Sequence, residues 1–399
     1  MNSWAVPWLA VGLIVVPGCE NGGEGGNDAS GGGAATGSTL GPAESSGTET
    51  GATTTSGVTS GDAEDTTGDG TGSSGDPPTQ GVPMFVALGQ GGRRLMSCDD
   101  GQSWGTELVI ETNDDDHGPY SSRDVASGQG TFLLGMGWGN PARISASANG
   151  IDWQETFPPP DYIESRGLSG IAFGSGRFVA IVGSDSWTSD DLGQSWSLSG
   201  QVPTGDNIRV VTHSRFGDGL YYAAADGGLI YQSTDGVSWT DPLPTTGSCD
   251  GGNLSRRGGI ADHDGTFVLV SDTGNVCRSD DGGSSFTHHT IGEGTGEVDI
   301  QSDVIATDEG FYVGGRNGGW HSAQGTQWSI MAFSLDGDDI ATVAHSSASG
   351  TLIGIARNGD DFYRSTDTGR TWVRADAPPG NDTNAAAFGF ATASSDCPG

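Results

Sequence analysis

Beyond residue 82 the chain alternates short clusters of aromatic and β-branched residues with turns rich in Gly and Asp, and no helical period persists. Apolar–polar alternation over short runs, punctuated by turn residues, predicts an all-β domain. Between residues 167 and 199 the pattern resolves into four strands. GLSGIAFG (167–174) reads as the innermost, RFVAIVG (177–183) as the second, SWTSD (186–190) as the third and SWSLS (195–199) as the outermost. Similar first and second strands recur as DVASGQGTFLLGMG, GIADHDGTFVLVSD and VIATDEGFYVGG, each pair joined by a Gly-bearing hairpin turn.

The third and fourth strands are joined by a polar octapeptide that recurs along the chain. SDDLGQSW at Ser189 has counterparts, some one residue shorter, beginning at Ser97, Ser147, Ser233, Ser279, Ser322 and Ser365. The successive intervals are 50, 42, 44, 46, 43 and 43 residues. Seven near-equal units of this size are what four-stranded propeller blades require. Trp104, Trp153, Trp196, Trp239, Trp328 and Trp372 close six copies and Phe286 the other, so six of eleven tryptophans occupy one phase of the repeat. Each copy has a mechanical explanation. The Asp or Asn side chain accepts bonds from nearby backbone N–H groups, Gly supplies a positive φ, and the aromatic packs between sheets.

The octapeptide resembles the Asp-box, or bacterial neuraminidase repeat: Ser, any residue, Asp, any residue, Gly, two more, then an aromatic. Ser97, Asp99, Gly101 and Trp104 match in full, as do Ser189, Asp191, Gly193 and Trp196, and Ser365, Asp367, Gly369 and Trp372. The Ser279 copy, with Asp281, departs only in Phe286. The copies with Asn149 and Trp153, and with Asp235 and Trp239, drop one residue; the copy at Ser322, ending in Trp328, has Gln324 in the acidic place. The resemblance covers residues 83 to about 393. It implies a seven-bladed β-propeller similar to the sialidase, sortilin and xyloglucanase-like superfamily, with structural aspartates on the face away from the ligand.

The ends fit such a ring. PMFVALG at 83–89 looks like a second strand lacking its first, and NAAAFGFATA at 384–393 like a first strand lacking its second. Paired, they complete blade 1 and remove exposed sheet edges at the seam. Cys98, Cys249, Cys277 and Cys397 allow three pairings. Successive turns of a blade alternate between the two faces, which places Cys98 with Cys397 and Cys249 with Cys277. Those two disulfides are the expectation, with four free thiols the alternative.

Composition changes the picture at the amino terminus. MNSWAVPWLAVGLIVVPGC has an apolar run too short to span a bilayer, of the length of a signal-peptide core. Its VPGC ending resembles a bacterial lipobox, which makes residues 1–18 a signal peptide and Cys19 the lipidated first residue of the exported chain. Pro17 and the lack of a preceding Lys or Arg depart from the pattern; an ordinary signal peptide is the alternative. Glu20–Val82 has no aromatic residue, ten acidic residues and no basic one. Such a stretch buries too little apolar surface to offset chain entropy, so 19–82 is expected to be a disordered tether for a propeller at 83–399. The localisation expected is exported, anchored by lipid to a bacterial membrane and facing the periplasm or cell surface.

The chain carries 51 acidic residues against 16 basic ones, every one of the latter an Arg, for a net charge of −35. That excludes nucleic acid as a partner, since phosphate binding needs clustered cations. The tether accounts for ten of those charges, leaving −25 elsewhere.

Propeller ligands meet the face opposite the Asp-boxes. Arg123, Arg166, Arg209 and Arg257 recur near the starts of innermost strands, where planar guanidinium groups grip a carboxylate or else pair with neighbours such as Asp124 and Glu164. Trp138, Trp187, Trp320, Tyr120 and Tyr162 fall on the same face, as stacking rings or as packing between loops. No cofactor is implied. NDDDHG (113–118) and DGDDI (336–340) are candidates for Ca²⁺ without EF-hand spacing, and no zinc signature occurs. Sialidases carry an Arg-Ile-Pro segment and a Tyr/Glu pair on six blades; here there are seven units and no Arg-Ile-Pro, and Tyr221 and Tyr222 have no identified Glu partner. The expectation is a binding or scaffolding propeller for a glycan, peptide or protein, with an Asp-box glycoside hydrolase acting on extracellular glycans as the alternative and no catalytic residue assigned.

Overall fold

The computed structural model describes residues 81–391, apart from 112–116, 139–140, 161–165, 205–206, 214–218, 244–258, 264, 293–299, 301, 303, 317, 332–338 and 357–360. The signal peptide, Cys19, the tether as far as residue 80, Tyr162, Glu164, Cys249, Arg257 and Cys397 lie outside the described residues, and Val82, expected at the end of the tether, belongs to the first strand because it pairs with Ala391.

The described strands form seven antiparallel sheets. Their innermost strands are Thr383–Ala391, Ser122–Gly128, Leu168–Gly174, Ile208–His213, Gly259–His263, Ile305–Thr307 and Ile340–His345, for blades 1 to 7 in turn. Each innermost strand contacts the next, and the seventh returns to the first. The protein is a seven-bladed β-propeller. Blade 1 is made from both ends of the domain: Thr383–Ala391 pairs with Val82–Gly89, with Val82 opposite Ala391 and Phe85 opposite Phe388. The seam anticipated from the two incomplete blades is therefore closed by the carboxy-terminal strand.

Packing explains why the second strands read as continuous apolar runs. A blade is covered on both faces by its neighbours, so the residues of Thr131–Met136 are all buried whichever way they point. Seven apolar clusters fill the seven interfaces between blades. The aromatic closing each repeat packs against the preceding blade. Trp104 lies with Ile353 and Phe362 of blade 7, Trp196 with Leu133 and Phe157 of blade 2, and Trp372 with Tyr312 and Met331 of blade 6.

Blade 4 departs from the four-stranded expectation. Three strands are described, ending with Leu229–Ser233. The chain beyond still bonds along that edge, Thr240 N to Gln232 O at 2.9 Å and Leu243 N to Ile230 O at 2.7 Å. Pro242 stands between these donors without an N–H to offer, so a regular ladder does not form.

The seam has a polar latch that the repeat pattern does not announce. Arg93, in the turn between the second and third strands of blade 1, is fully buried. Its Nη1 donates to Asn381 O at 2.7 Å and to Thr383 Oγ1 at 3.3 Å, and its Nη2 to Pro378 O. Asn381 Nδ2 in turn donates to Gln90 O at 3.0 Å and Glu111 O at 3.2 Å. The segment leading into the closing strand is thereby tied to blade 1 by side chains as well as by the ladder.

Candidate functional site

The turns between third and fourth strands all open on one face of the disc, here the lower face. Their geometry repeats closely. Ser97 Oγ donates to Asp99 Oδ1 at 2.8 Å and accepts from Gly101 N at 2.9 Å, while Asp99 Oδ1 also accepts from Ser103 N at 2.9 Å. Ser189 with Asp191, Ser279 with Asp281 and Ser365 with Asp367 repeat those bonds. Ser147 with Asn149 and Ser233 with Asp235 do so in the shorter form. The two lengths differ by one left-handed residue. The longer turns place two in succession, such as Asp100 (φ 61°) and Gly101 (φ 82°), and the shorter ones only the Gly, as at Gly150 (φ 74°). In the Ser322 turn, where Gln324 replaces the acid, Ser322 Oγ is buried without a hydrogen-bond partner. Loss of the carboxylate leaves the serine without the acceptor that the other turns supply.

These turns also clasp the neighbouring blade. The carbonyl just before the turn glycine accepts from a side chain of the preceding blade in five cases. Arg364 Nε reaches Asp100 O at 2.6 Å, Arg177 Nη1 reaches Asp235 O at 2.9 Å and Arg278 Nε reaches Gln324 O at 2.7 Å. Gln232 Nε2 and Tyr312 Oη do the same for Gly282 O and Thr368 O. The recurring octapeptide is therefore both a turn and a link around the ring.

The carboxylates of these turns are held in the charged form. Hydrogen bonds from the Ser285 and Ser279 side chains, and then from backbone N–H groups, bring Asp281 down to about 2. For Asp99 and Asp191, burial pushes the pKa up but the serine and backbone hydrogen bonds outweigh it, and the net shift is downward. Asp235 and Asp367 are lowered by the same kinds of bond, led by Ser238 N–H and the Thr371 hydroxyl respectively. A carboxyl with a depressed folded pKa contributes stability that is complete above its unfolded value, near ~3.9, and is lost as pH falls through the folded value. The melting temperature is accordingly expected to hold from pH 7 to about 5 and to fall between about pH 4 and 2. Circular dichroism melts across that range check it; a decline centred above pH 5 would assign the lability to other groups.

The upper face carries the turns between second and third strands and the connections from blade to blade. Arg166 Nη1 meets Asp185 Oδ2 at 3.1 Å, and Arg209 clamps Asp226 through Nε at 2.5 Å and Nη2 at 2.7 Å. Asp124, the neighbouring acid to which the sequence pointed, accepts from the backbone of Val125 and Ile171. Asp185 opens a third strand and Asp226 lies in a turn after a second strand, and hairpin register brings both to the same rim as the two arginines. Asp226 is lowered by the Arg209 and Asn207 side-chain bonds, which outweigh burial. Arg123 donates to Leu168 O at 2.9 Å and stacks 4.5 Å from the centre of the Trp138 ring, tying blade 2 to blade 3.

The other ring candidates divide. Trp138 and Tyr120 are half-buried on the rim. Trp187 and Trp320 are each only 7% exposed, inside the interfaces of blades 2–3 and 5–6, so they are packing residues and present no stacking face to solvent. Both lie in third strands at the same register, where the side chain points between blades. Tyr221 and Tyr222 are likewise core residues. Tyr221 Oη donates to Gly174 O at 2.5 Å, and burial pushes its pKa up. Of the two acidic stretches weighed for Ca²⁺, 113–116 and 336–338 lie outside the described residues. Among the described residues no group of three His, Cys, Asp or Glu side chains is placed to hold a metal ion.

No family model matches the chain, and no curated protein matches it either. Solved structures share its fold. A streptogramin B lyase structure superposes with a TM-score of 0.54 at 12% identity, covering 70% of this chain and 89% of that one. A structure of YCF48 bound to a D1 peptide gives 0.50 at 17% identity, covering 63% and 81%. Selenomethionine-substituted virginiamycin B lyase from Staphylococcus aureus gives 0.50 at 12% identity, covering 66% and 85%. At these identities the likeness is one of fold.

Proposed function

We propose that the chain is a lipid-anchored, extracytoplasmic propeller that binds or scaffolds a partner on its upper face, opposite turns that we read as Asp-boxes. The observation that carries this reading is the asymmetry of the two faces. The lower face repeats one device whose carboxylates are spent on their own turns. The upper connections, such as 109–121, 158–167, 202–207 and 375–382, share neither length nor sequence. Variable connections on a rigid scaffold are where binding is usually built. Peptide or protein is the favoured ligand class, because YCF48, a protein of similar fold, has been solved with a bound peptide. Glycan cleavage needs two opposed carboxylates, whereas Asp185 and Asp226 on this rim are held by guanidinium groups.

In this reading residues 1–18 direct export, Cys19 is lipidated and 19–82 spaces the propeller at 83–399 from the membrane. An oxidising compartment suits the pairings Cys98–Cys397 and Cys249–Cys277. The test is expression of the full chain in a bacterial host. The wild type is expected in the detergent phase of a Triton X-114 partition and Cys19→Ser in the aqueous phase. Peptide mapping without reductant should recover the two disulfides, and a panel of aryl glycosides should show no turnover. An aqueous wild type would remove the anchor. Turnover abolished by a single carboxylate substitution would replace binding with hydrolysis.

A further inference from the structure

Between blades 1 and 2 stands a cation for which the described residues supply no partner acid. Arg94 opens the third strand of blade 1, Arg94–Ser97, and reaches across to blade 2. There its Nη2 lies 3.5 Å from Ser145 Oγ and its guanidinium 5.7 Å from the centre of the Trp153 ring. Arg143 stands two residues before Ser145, on the same side of the strand Arg143–Ser147. It donates from Nη1 to both oxygens of Glu155, at 2.7 and 2.8 Å, and lies 5.0 Å from the Tyr120 ring centre. Two guanidinium groups therefore converge near one carboxylate, which is bound to Arg143.

Among the described residues no carboxylate stands at ion-pair distance from Arg94, in a chain with 51 acidic residues. The Nε atoms of Arg94 and Arg143 are both buried without an acceptor. Burial pushes the Arg94 pKa down, against the attraction of Glu155 and Tyr120. A desolvated cation of this kind gains from a second anion.

An apolar stretch begins beside Arg94. Leu108 is the register partner of Arg94, so the two side chains share one side of the sheet. Leu108, Val109 and Ile110 are 43%, 39% and 45% exposed, three consecutive members of the six exposed large hydrophobic residues among those described. The remaining three, Leu198, Ile330 and Val373, are scattered over the outer strands of three other blades.

We propose that this surface binds a ligand joining an apolar body to a terminal carboxylate, with the carboxylate on Arg94 and the apolar body on Leu108, Val109 and Ile110. The net negative charge of the chain does not oppose this at physiological ionic strength. Charges more than about 8 Å away are largely screened, and the nearby guanidinium groups decide the local potential. A free short-chain acid and the carboxy terminus of a peptide with an apolar last residue present the same chemistry. The inference rests on the reading above only in taking the upper face as the binding face.

Isothermal titration calorimetry of the full-length chain tests it, with hexanoate for the free acid, N-acetyl-leucine for the chain end and N-acetyl-leucinamide as the neutral control. Saturable binding of at least one acid is expected, with the amide about tenfold weaker or more. Arg94→Gln should weaken the acid about tenfold or more, and Leu108→Ser about threefold, a surface change that leaves the melting temperature in place. Hexanoate alone binding identifies the free acid as the source, and N-acetyl-leucine alone the chain end. Equal affinity for acid and amide, an unchanged Arg94→Gln, or no saturation by about 20 mM would overturn the site. None of these outcomes bears on the Cys19 partition or the glycoside assay, so this site and the broader function fail separately.

Discussion

Arg93→Met is expected to lower the stability of the propeller by about 3–5 kcal/mol, more than any single substitution on the rim. The methionine fills much of the same volume but donates nothing. The part-buried Asn381 O and Pro378 O would then face an apolar side chain, and Thr383 would lose a buried bond. A buried acceptor without a donor costs about 1–3 kcal/mol. The location raises the effect, because these acceptors belong to the segment that delivers the closing strand. Native-state hydrogen exchange should show the amides of Val82–Gly89 and Thr383–Ala391 exchanging first, with those of Arg177–Val182 across the ring changing less. Arg93→Lys should restore only part of the loss, since one ammonium does not reproduce a planar fork set between two carbonyls. A urea midpoint shifted by less than about 1 kcal/mol would show that the ladder alone holds the seam.

The contrast between Arg93 and the tryptophans shows what a single sequence makes legible. Blade number, strand order and the closing strand followed from spacing, because each turn recurs with Ser, an acid or amide, Gly and an aromatic in fixed places. The same periodicity concealed Arg93 and Arg94, which occur once: the matching Gly-rich turn of blade 4, Asp226–Gly228, is followed by Leu229 and Ile230. The roles of the two arginines depend on residues nearly 290 positions away or on another blade, and no local pattern records that. Arg166 and Arg209 were visible as rim residues by phase. Their partners Asp185 and Asp226 were not, because hairpin register rather than sequence proximity brings acid and base together. Trp187 and Trp320 misled for a related reason. The fold exposes the ends of third strands, but side chains one step further in alternate toward the neighbouring blade. Export, lipid attachment and the disulfide pairings rest on the residues at the chain ends and on Cys249, outside the described part of the fold.

The turn glycines allow backbone strain and blade packing to be separated. Gly101 and Gly350 have nearly the same left-handed conformation, φ 82° and 74°. A Cβ at Gly350 would meet nothing within 4 Å, whereas one at Gly101 would lie 2.2 Å from Ile353 Cδ1 of blade 7. Gly350→Ala therefore reports conformational cost alone, about 1–2 kcal/mol. Gly101→Ala adds the cost of driving a methyl group into a filled interface, about 1–3 kcal/mol more. Ile353→Val in the Gly101→Ala background should recover part of the difference by withdrawing the Cδ1 atom, although Ile353→Val alone destabilises by about 1 kcal/mol. A double-mutant cycle on urea unfolding measures the coupling. Equal losses at the two glycines, with no coupling to Ile353, would mean that the octapeptide matters only as a turn. A larger loss at Gly101, relieved by the smaller neighbour, would mean that each repeat also sets the distance to the blade before it. The need for contact as well as curvature then explains why the Ser322 copy keeps its glycine, at φ 72° against Val268, after losing its acid.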